Sequence, residues 1–224
     1  MTSRLDSIVR KLQKHYGALP SPPTDAFAFF VWEILSGHTT PKKRDAAFLG
    51  LKRQGVLTPD AMWTASPKAL ESSVALAGPY CEHRLLALRK GVDVFRRTPA
   101  LQSILDGPVP AARRQLKPLP RMTGESSAYR MLLFAGAQQV LPVDARVARV
   151  ATRLGFGETL ANFSKTARAV RQSLAADIPN STEGYRRVYL YFEHHGATTC
   201  TESDPRCDRC PLLGVCAYGR DLRR

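Results

Sequence analysis

The 224-residue sequence is poor in acidic side chains. Asp and Glu number 19 against 33 Lys and Arg, which gives a net charge of +14 with histidine neutral. A surplus of this size attracts polyanions and therefore bears on the class of partner rather than on the fold. With 44% hydrophobic and only 23% charged residues, the composition excludes an intrinsically disordered chain. Nucleic acid is the first partner class that the charge suggests, and an anionic membrane is the second.

Long apolar segments are also absent. No apolar run approaches about 20 residues and no basic amphipathic segment stands apart, so the sequence favours no membrane partner. Near the N-terminus, Leu5, Ile8 and Leu12 fall at helical spacing among charged residues, which is typical of an amphipathic helix and not of a signal peptide. We therefore expect a cytoplasmic protein, associated with the nucleoid if its partner is DNA. Disulfides are not the default use of its five cysteines there.

Alternating strand patterns are scarce, so the sequence predicts an all-α fold of one large or two small domains. No internal repeat or low-complexity tract is present. Thr24 or Asp25 is placed to cap an apolar helix at 26–37, which we expect to lie in the core. Periodicity predicts helices at residues 5–16, 26–37, 42–54, 60–65, 67–76, 82–96, 126–137, 144–154, 164–176 and 182–195.

Four cysteines are concentrated near the C-terminus with the spacing C-x6-C-x2-C-x5-C, at Cys200, Cys207, Cys210 and Cys216. Thiolates this close in sequence can wrap around one metal centre in a tight loop. Structural zinc sites usually pair two C-x2-C units across a longer spacer, so the pattern favours an iron-sulfur cluster over zinc and over free or disulfide-bonded cysteines. Cys81 lies outside this group and is interpreted as an ordinary half-buried thiol.

This cysteine spacing resembles the endonuclease III family of helix-hairpin-helix DNA glycosylases. The resemblance extends to HHGATTC before the first cysteine, to VDARVARV, which is similar to the family's Val-Asp segment, and to LPRMTGESSA, which is similar to its hairpin. The resemblance implies two helical domains, one at 24–138 with the helix-hairpin-helix motif and one formed by 1–23 with 139–224. It also implies that the four cysteines hold a 4Fe-4S cluster that acts chiefly as a structural staple.

The hairpin departs from the family pattern. In relatives, backbone N–H groups at a glycine-rich turn beside a helix N-terminus grip DNA phosphates. This chain has lost the first glycine, so we expect Gly124 to supply one positive-φ position while Met122 or Thr123 restricts close backbone approach at the other. Arg121 is expected to compensate as a side-chain contact, together with Arg113, Arg114 and Lys117; a solvated charged face is the alternative.

The resemblance places catalytic roles on three residues. Asp144 is an N-cap by sequence alone, and the resemblance implies a carboxylate that stabilises positive charge at the sugar C1′ and activates water. Ser126 replaces the lysine with which strand-cutting relatives form a Schiff base, so base removal without strand cleavage is expected. Glu33, inside an apolar helix, either pairs with an arginine of a neighbouring helix or protonates the leaving base, as in monofunctional relatives.

Further DNA contacts are expected around this site. His38 in SGHTTP falls where relatives fill the gap left by a flipped base, although a solvated histidine is the alternative. Arg146 replaces a histidine that follows the aspartate in strand-cutting relatives. Arg206 and Arg209 are the basic residues that remain in an otherwise acidic loop between the cysteines.

The leading hypothesis is a base-excision-repair glycosylase, a monomer that flips a damaged or mismatched base out of double-stranded DNA and removes it by hydrolysis. One alternative is a non-catalytic or weakly active DNA-binding paralogue. Two others are a bifunctional glycosylase and AP lyase that uses another amine, and a DNA-binding iron-sulfur redox sensor. The sequence does not select the lesion.

Overall fold

The computed structural model describes residues 3–98 and 101–221. Within these ranges the secondary structure is helical and contains no strand, which confirms the all-α prediction. None of the helices in this part of the chain is both long and apolar enough to span a bilayer. The α-helices in chain order are α1 Arg4–Tyr16, α2 Ala26–Leu35, α3 Pro41–Arg53, α4 Pro59–Thr64, α5 Pro67–Val74, α6 Cys81–Arg97, α7 Leu101–Asp106, α8 Val109–Leu116, α9 Glu125–Phe134, α10 Ala145–Arg153, α11 Phe163–Ala175, α12 Thr182–Thr198 and α13 Ala217–Asp221. Short 3-10 turns lie at Ala75–Ala77, Cys207–Arg209 and Leu213–Val215.

The chain forms two compact units, one of Pro22–Gln138 and one of Met1–Ser21 with Gln139–Arg224. In the first of these, α2 packs against α3, α6 and α9, and its Phe29 and Phe30 are fully buried. This is the central position expected for a helix that is apolar on nearly all sides. In the other unit, α10 packs against α11 and α12, and α1 packs against α12.

Local sequence signals begin several of these helices. Asp25, one of the two expected caps, accepts a hydrogen bond from the Ala28 N–H at 2.8 Å and starts α2. A Ser or Thr followed by proline starts each of α3, α4 and α5. The hydroxyl accepts a backbone N–H of the first turn, and proline occupies a position whose own N–H has no partner within the helix.

The sequence prediction missed the helices α7, α8 and α13. The first two are short, and α8 begins in the stretch Pro108-Val109-Pro110, which resembles a loop. Prolines in a first helical turn sacrifice no intrahelical hydrogen bond, so they start α8 rather than prevent it. The expected helix at 126–137 is shorter than predicted, because α9 ends at Phe134 and Ala137 has a positive φ of 49°.

Close packing between α2 and α6 predicts the effect of one substitution. A Cβ on Gly91 of α6 would overlap the ring of Phe30, which is fully buried and cannot move into solvent. Gly91→Ala should therefore lower the free energy of unfolding by about 1–3 kcal/mol through overpacking. That cost exceeds the gain of up to about 1 kcal/mol from alanine's better helix propensity.

Thermal unfolding followed by circular dichroism at 222 nm measures the effect of Gly91→Ala. Lys90→Ala is the matched control, because Lys90 is the exposed neighbour in the same helix, and its effect should stay within about 0.5 kcal/mol. A Gly91→Ala protein as stable as the wild type would contradict the close packing.

Candidate functional site

Glu33 is buried in α2 and forms an ion pair with Arg130 of α9. A carboxylate removed from water needs such a partner, since an isolated buried charge costs several kcal/mol. Of the two interpretations that the sequence left open for Glu33, the structure therefore contains the ion pair. The sequence did not identify Arg130 as the partner, because the two residues are 97 positions apart.

Ser126 lies in the first turn of α9, one helical turn before Arg130 and hence on the same face of the helix. Its Oγ is buried and has no hydrogen-bond partner within the part of the chain that the structure describes. A buried hydroxyl without a partner is uncommon in folded proteins. Ser126 thus provides a hydroxyl with spare hydrogen-bonding capacity in the first turn of α9.

The turn between α8 and α9 differs from the predicted hairpin. Gly124 has a φ of −75° and serves as the extended N-cap of α9, so the expectation that it supplies a positive φ is wrong. The left-handed position is Arg121, with a φ of 66°. An extended residue directly before the helix is the usual N-cap conformation, which leaves the sharp turn to the residues that precede it.

Met122 is placed unfavourably for a DNA contact. Its side chain is 1% exposed, and its N–H donates to the Leu119 carbonyl at 3.1 Å. The side chain is part of the core of this unit and the amide is already used within the turn. The expected contact through Met122 is therefore not supported by its surroundings.

Arg121 itself is exposed, and its guanidinium lies against Gly37, where a Cβ would overlap it. The neighbouring Arg84 is buried and donates to the carbonyl of Gly37 at 2.7 Å and to that of Gly78 at 3.2 Å. Burial lowers the pKa of Arg84. Arg84 thereby joins the loop after α2 to the loop before α6.

His38 lies in the first of these loops, with an exposed side chain and a positive φ of 49°. Its ring centroid is 5.5 Å from that of Tyr80, which is also exposed and has a φ of 70°. Positive φ is costly for residues other than glycine and persists only where surrounding contacts hold it. The hydrogen bonds of Arg84 to both loops are such contacts.

In the other unit, Asp144 is the N-cap of α10. Its Oδ1 accepts the N–H groups of Arg146 and Val147, each at 3.0 Å. The side chain is half-buried, and its orientation is set by these two hydrogen bonds. The capping role expected from the sequence is therefore present, and it does not conflict with a catalytic role for the same carboxylate. The side chain of Arg146 forms an ion pair with Glu193.

Cys200, Cys207, Cys210 and Cys216 line one small pocket together with residues of α10 and the end of α12. Burial and the neighbouring cysteines raise the pKa of Cys210 to about 11, although the Leu212 N–H opposes this by donating to Cys210 Sγ at 3.4 Å. Among residues 3–98 and 101–221, no three His, Cys, Asp or Glu side chains form a site for a single metal ion.

Two further side chains contact these sulfurs. Arg153 Nη1 donates to Cys200 Sγ at 3.3 Å, and His195 Nε2 lies 3.6 Å from Cys210 Sγ. Burial, with smaller contributions from His15 and His194, lowers the pKa of His195 to about 4. In the same loop, Arg206 and Arg209 are exposed, and Arg209 pairs with Asp208 at 3.4 Å.

Comparison with known proteins gives a consistent set of relatives, although no family profile matches the chain. The chloroplastic endonuclease III homolog 1 of Arabidopsis thaliana is 26% identical over 197 residues, which cover 87% of this chain and 50% of that protein. Endonuclease III of Buchnera aphidicola is 23% identical over 198 residues, which cover 87% of this chain and 83% of that protein. Over most of its length the chain is therefore similar to proteins named endonuclease III.

Solved structures of the same type share the fold. A non-covalent endonuclease III–DNA complex matches over the whole of both chains with a TM-score of 0.70 at 21% identity. A thermostable thymine-DNA glycosylase matches over 97% of both chains with a TM-score of 0.70 at 18% identity. The chain spans about half the length of the two Arabidopsis relatives, endonuclease III homologs 1 and 2.

Sequence reasoning missed several residues that organise this endonuclease III fold: Arg84, Arg130, Arg153 and His195. His195 belongs to the motif HHGATTC, which is part of the resemblance, but the sequence assigned no role to either histidine of this motif. For Arg130 the available signal was the buried carboxylate of Glu33, which required some cation nearby. No local pattern distinguishes Arg84 or Arg153 from the other arginines of so basic a chain.

Proposed function

We propose that this chain is a DNA glycosylase of base excision repair that flips a damaged or mismatched base out of duplex DNA and hydrolyses its N-glycosidic bond. The observation that carries the proposal is Asp144, a half-buried carboxylate that two backbone N–H groups of α10 hold in one orientation. The relatives named endonuclease III and the fold shared with endonuclease III–DNA complexes support it.

In this mechanism Asp144 acts on the sugar. As the bond between C1′ and the base nitrogen breaks, positive charge develops at C1′, and the carboxylate stabilises that charge. The same carboxylate accepts a proton from the attacking water, whose oxygen bonds to C1′, while the base leaves with a proton. A side chain fixed by N-cap hydrogen bonds loses little conformational freedom when the substrate binds.

The reaction ends with the base-free site because Ser126 offers no amine. A hydroxyl cannot form the imine through which a lysine cleaves the strand. The proposal is therefore a monofunctional glycosylase, and strand cleavage would need an amine from elsewhere. Ser126 Oγ, which has no partner in the described residues, is proposed to hydrogen-bond the substrate.

Glu33 is the proposed donor of a proton to the leaving base, but its ion pair with Arg130 also favours a second candidate function. A carboxylate engaged by a guanidinium is an acceptor, and proton donation requires that this pairing change on substrate binding. If it does not change, the chain would be a DNA-binding paralogue with little or no turnover.

Contacts to DNA are proposed at exposed basic and polar groups of each unit, and a single chain is proposed to bind one duplex. Arg121, the N-terminus of α9 at Gly124 and His38 would act in one unit. In the other unit the proposed contacts are Arg146, Arg206 and Arg209, of which Arg146 and Arg209 are already paired with acids. Phosphate contacts of this kind make affinity fall as salt rises.

We further propose that the four cysteines of the pocket bind a 4Fe-4S cluster. Four sulfur donors around one pocket, with N–H donors directed at two of them, suit a group wider than a single ion. When bound, the cluster would link Cys200, which lies just after α12, to the three cysteines further along the C-terminal loop.

The cluster proposal predicts a brown protein with an absorbance band near 400 nm and about four irons per chain, since thiolate-to-iron charge transfer absorbs there. Cys207→Ser should lose the band. Cys81→Ser is the matched control and should keep it, because Cys81 lies at the start of α6 in the other unit. A colourless protein with stoichiometric zinc would contradict the assignment.

Substitution of Asp144 tests catalysis. Asp144→Asn should slow base release by at least about 100-fold, because the amide cannot accept the proton or stabilise charge at C1′. Asparagine caps helices about as well as aspartate, so stability should change by only a few tenths of a kcal/mol. The measurement is single-turnover release on a lesion panel, revealed by alkali; Asp144→Ala, which also loses the cap, separates stability from chemistry.

Equal rates of base release for the wild type and Asp144→Asn would show that Asp144 has no catalytic role. A wild type that releases no base from any lesion in the panel, while it still binds the duplexes, would favour the DNA-binding paralogue instead.

Ser126→Lys tests the missing amine. The substitution should allow borohydride to trap a covalent complex with a lesion-containing duplex, which the wild type should not form, because lysine can provide the Schiff base. Denaturing gel electrophoresis separates the trapped complex from free protein. Ser127→Lys, one position along α9, is the matched control. Efficient trapping of the wild type would show that another amine acts in its place.

A further inference from the structure

A chain of hydrogen bonds leads from α1 to the cysteine pocket. Tyr16 Oη lies 2.7 Å from Thr199 Oγ1 and 2.7 Å from His195 Nδ1. The other ring nitrogen, His195 Nε2, lies 3.6 Å from Cys210 Sγ. His195 is 2% exposed, so both of its nitrogens must find partners within the protein.

The chemistry of the final acceptor sets the direction of these hydrogen bonds. A thiolate that ligates a metal has no hydrogen to donate, so Nε2 must carry the proton of the neutral ring and donate it to Cys210. Nδ1 then has a lone pair that accepts the Tyr16 hydroxyl. The opposite tautomer would place a lone pair against the thiolate. The hydroxyl of Tyr16 therefore supports this tautomer by donating to Nδ1, and it holds the ring in the orientation that directs Nε2–H at the sulfur.

We propose that His195 and Tyr16 are positioning residues that set the reduction potential of the cluster by directing an N–H at Cys210 Sγ. This inference rests on the proposed 4Fe-4S cluster. A hydrogen bond to a ligating sulfur withdraws electron density from the iron and stabilises the more reduced state, which raises the potential. The effect is stronger in a buried site, where the local dielectric constant is low.

Two other donors to the sulfurs are less suitable for a test. The Leu212 N–H belongs to the backbone. Arg153 donates not only to Cys200 Sγ but also to the carbonyls of Thr201 at 2.7 Å and Glu202 at 3.0 Å, so its removal would release the loop as well. Substitutions at His195 and Tyr16 change the hydrogen bond to Cys210 without removing those loop contacts.

The experiment compares two tyrosines that each lose one hydroxyl. Tyr16→Phe removes the group that orients His195. Tyr191→Phe is the matched control, because Tyr191 is buried in the same unit and donates to the Gly17 carbonyl at 2.7 Å rather than to the histidine. Film voltammetry of the full-length holoprotein should show a lower potential for Tyr16→Phe and an unchanged potential for Tyr191→Phe.

His195 supplies the second comparison. His195→Leu removes the donor and should lower the potential further than Tyr16→Phe. His195→Gln should return it towards the wild type, because the glutamine amide can offer an N–H where Nε2 lies. If His195→Leu fails to retain its cluster, the comparison of Tyr16→Phe with Tyr191→Phe still tests the inference.

Equal potentials for Tyr16→Phe and Tyr191→Phe, with the absorbance near 400 nm intact in both, would overturn the inference. A wild type without that absorbance would instead overturn the proposed cluster, and the two failures are thereby distinguished. Base release is not the readout in either case, so the result does not depend on turnover.

Discussion

Hydrogen bonds from arginine side chains to loop carbonyls hold the functional segments of this structure in place. A protein built from short helices has many helix ends and loops, and the last carbonyls of each helix lack partners within it. Arg84 supplies donors to the loops that contain Gly37 and Gly78. Arg149 does the same for Gly196 and Cys200 at the end of α12, each at 2.8 Å. A guanidinium has five donors in a rigid plane, so one side chain can join two or three carbonyls.

This use of arginine changes the meaning of the net charge of +14. Part of the positive surplus is engaged inside each unit, on carbonyls or on carboxylates such as Glu33 and Glu193. Arg113, which the sequence offered as a hairpin contact, is paired with Glu125 at 3.4 Å and lies over the ring of Tyr129. These arginines therefore have fewer free N–H donors for direct contacts with a phosphate backbone, although their pairing does not change the net charge. Arg121, exposed in a left-handed turn, is a clearer candidate than the charge run around it.

The proposed site also uses single groups for two purposes. Asp144 caps α10 and is at the same time fixed in orientation, as a catalytic carboxylate needs to be. His195 fills a buried position and connects the first helix of its unit to a cysteine of the pocket. In both cases a contact that stabilises the fold also orients a group to which we assign a catalytic or ligating role. A substitution at either residue therefore needs a variant that keeps one role and removes the other. Asp144→Asn, for example, keeps the helix cap and removes the carboxylate.

The sequence by itself determined the class of fold, the cap of α2 and the cysteine group, because these depend on residues within a few positions of one another. Periodicity located most helices for the same reason, and it failed at the short helices α7, α8 and α13, of which α8 begins among prolines that resemble a loop. Only the tertiary structure decided that Glu33 pairs with Arg130, that Arg121 rather than Gly124 takes the positive φ, and that His195 faces Cys210. Those outcomes depend on how distant helices and loops pack together, and local spacing carries no information about that packing.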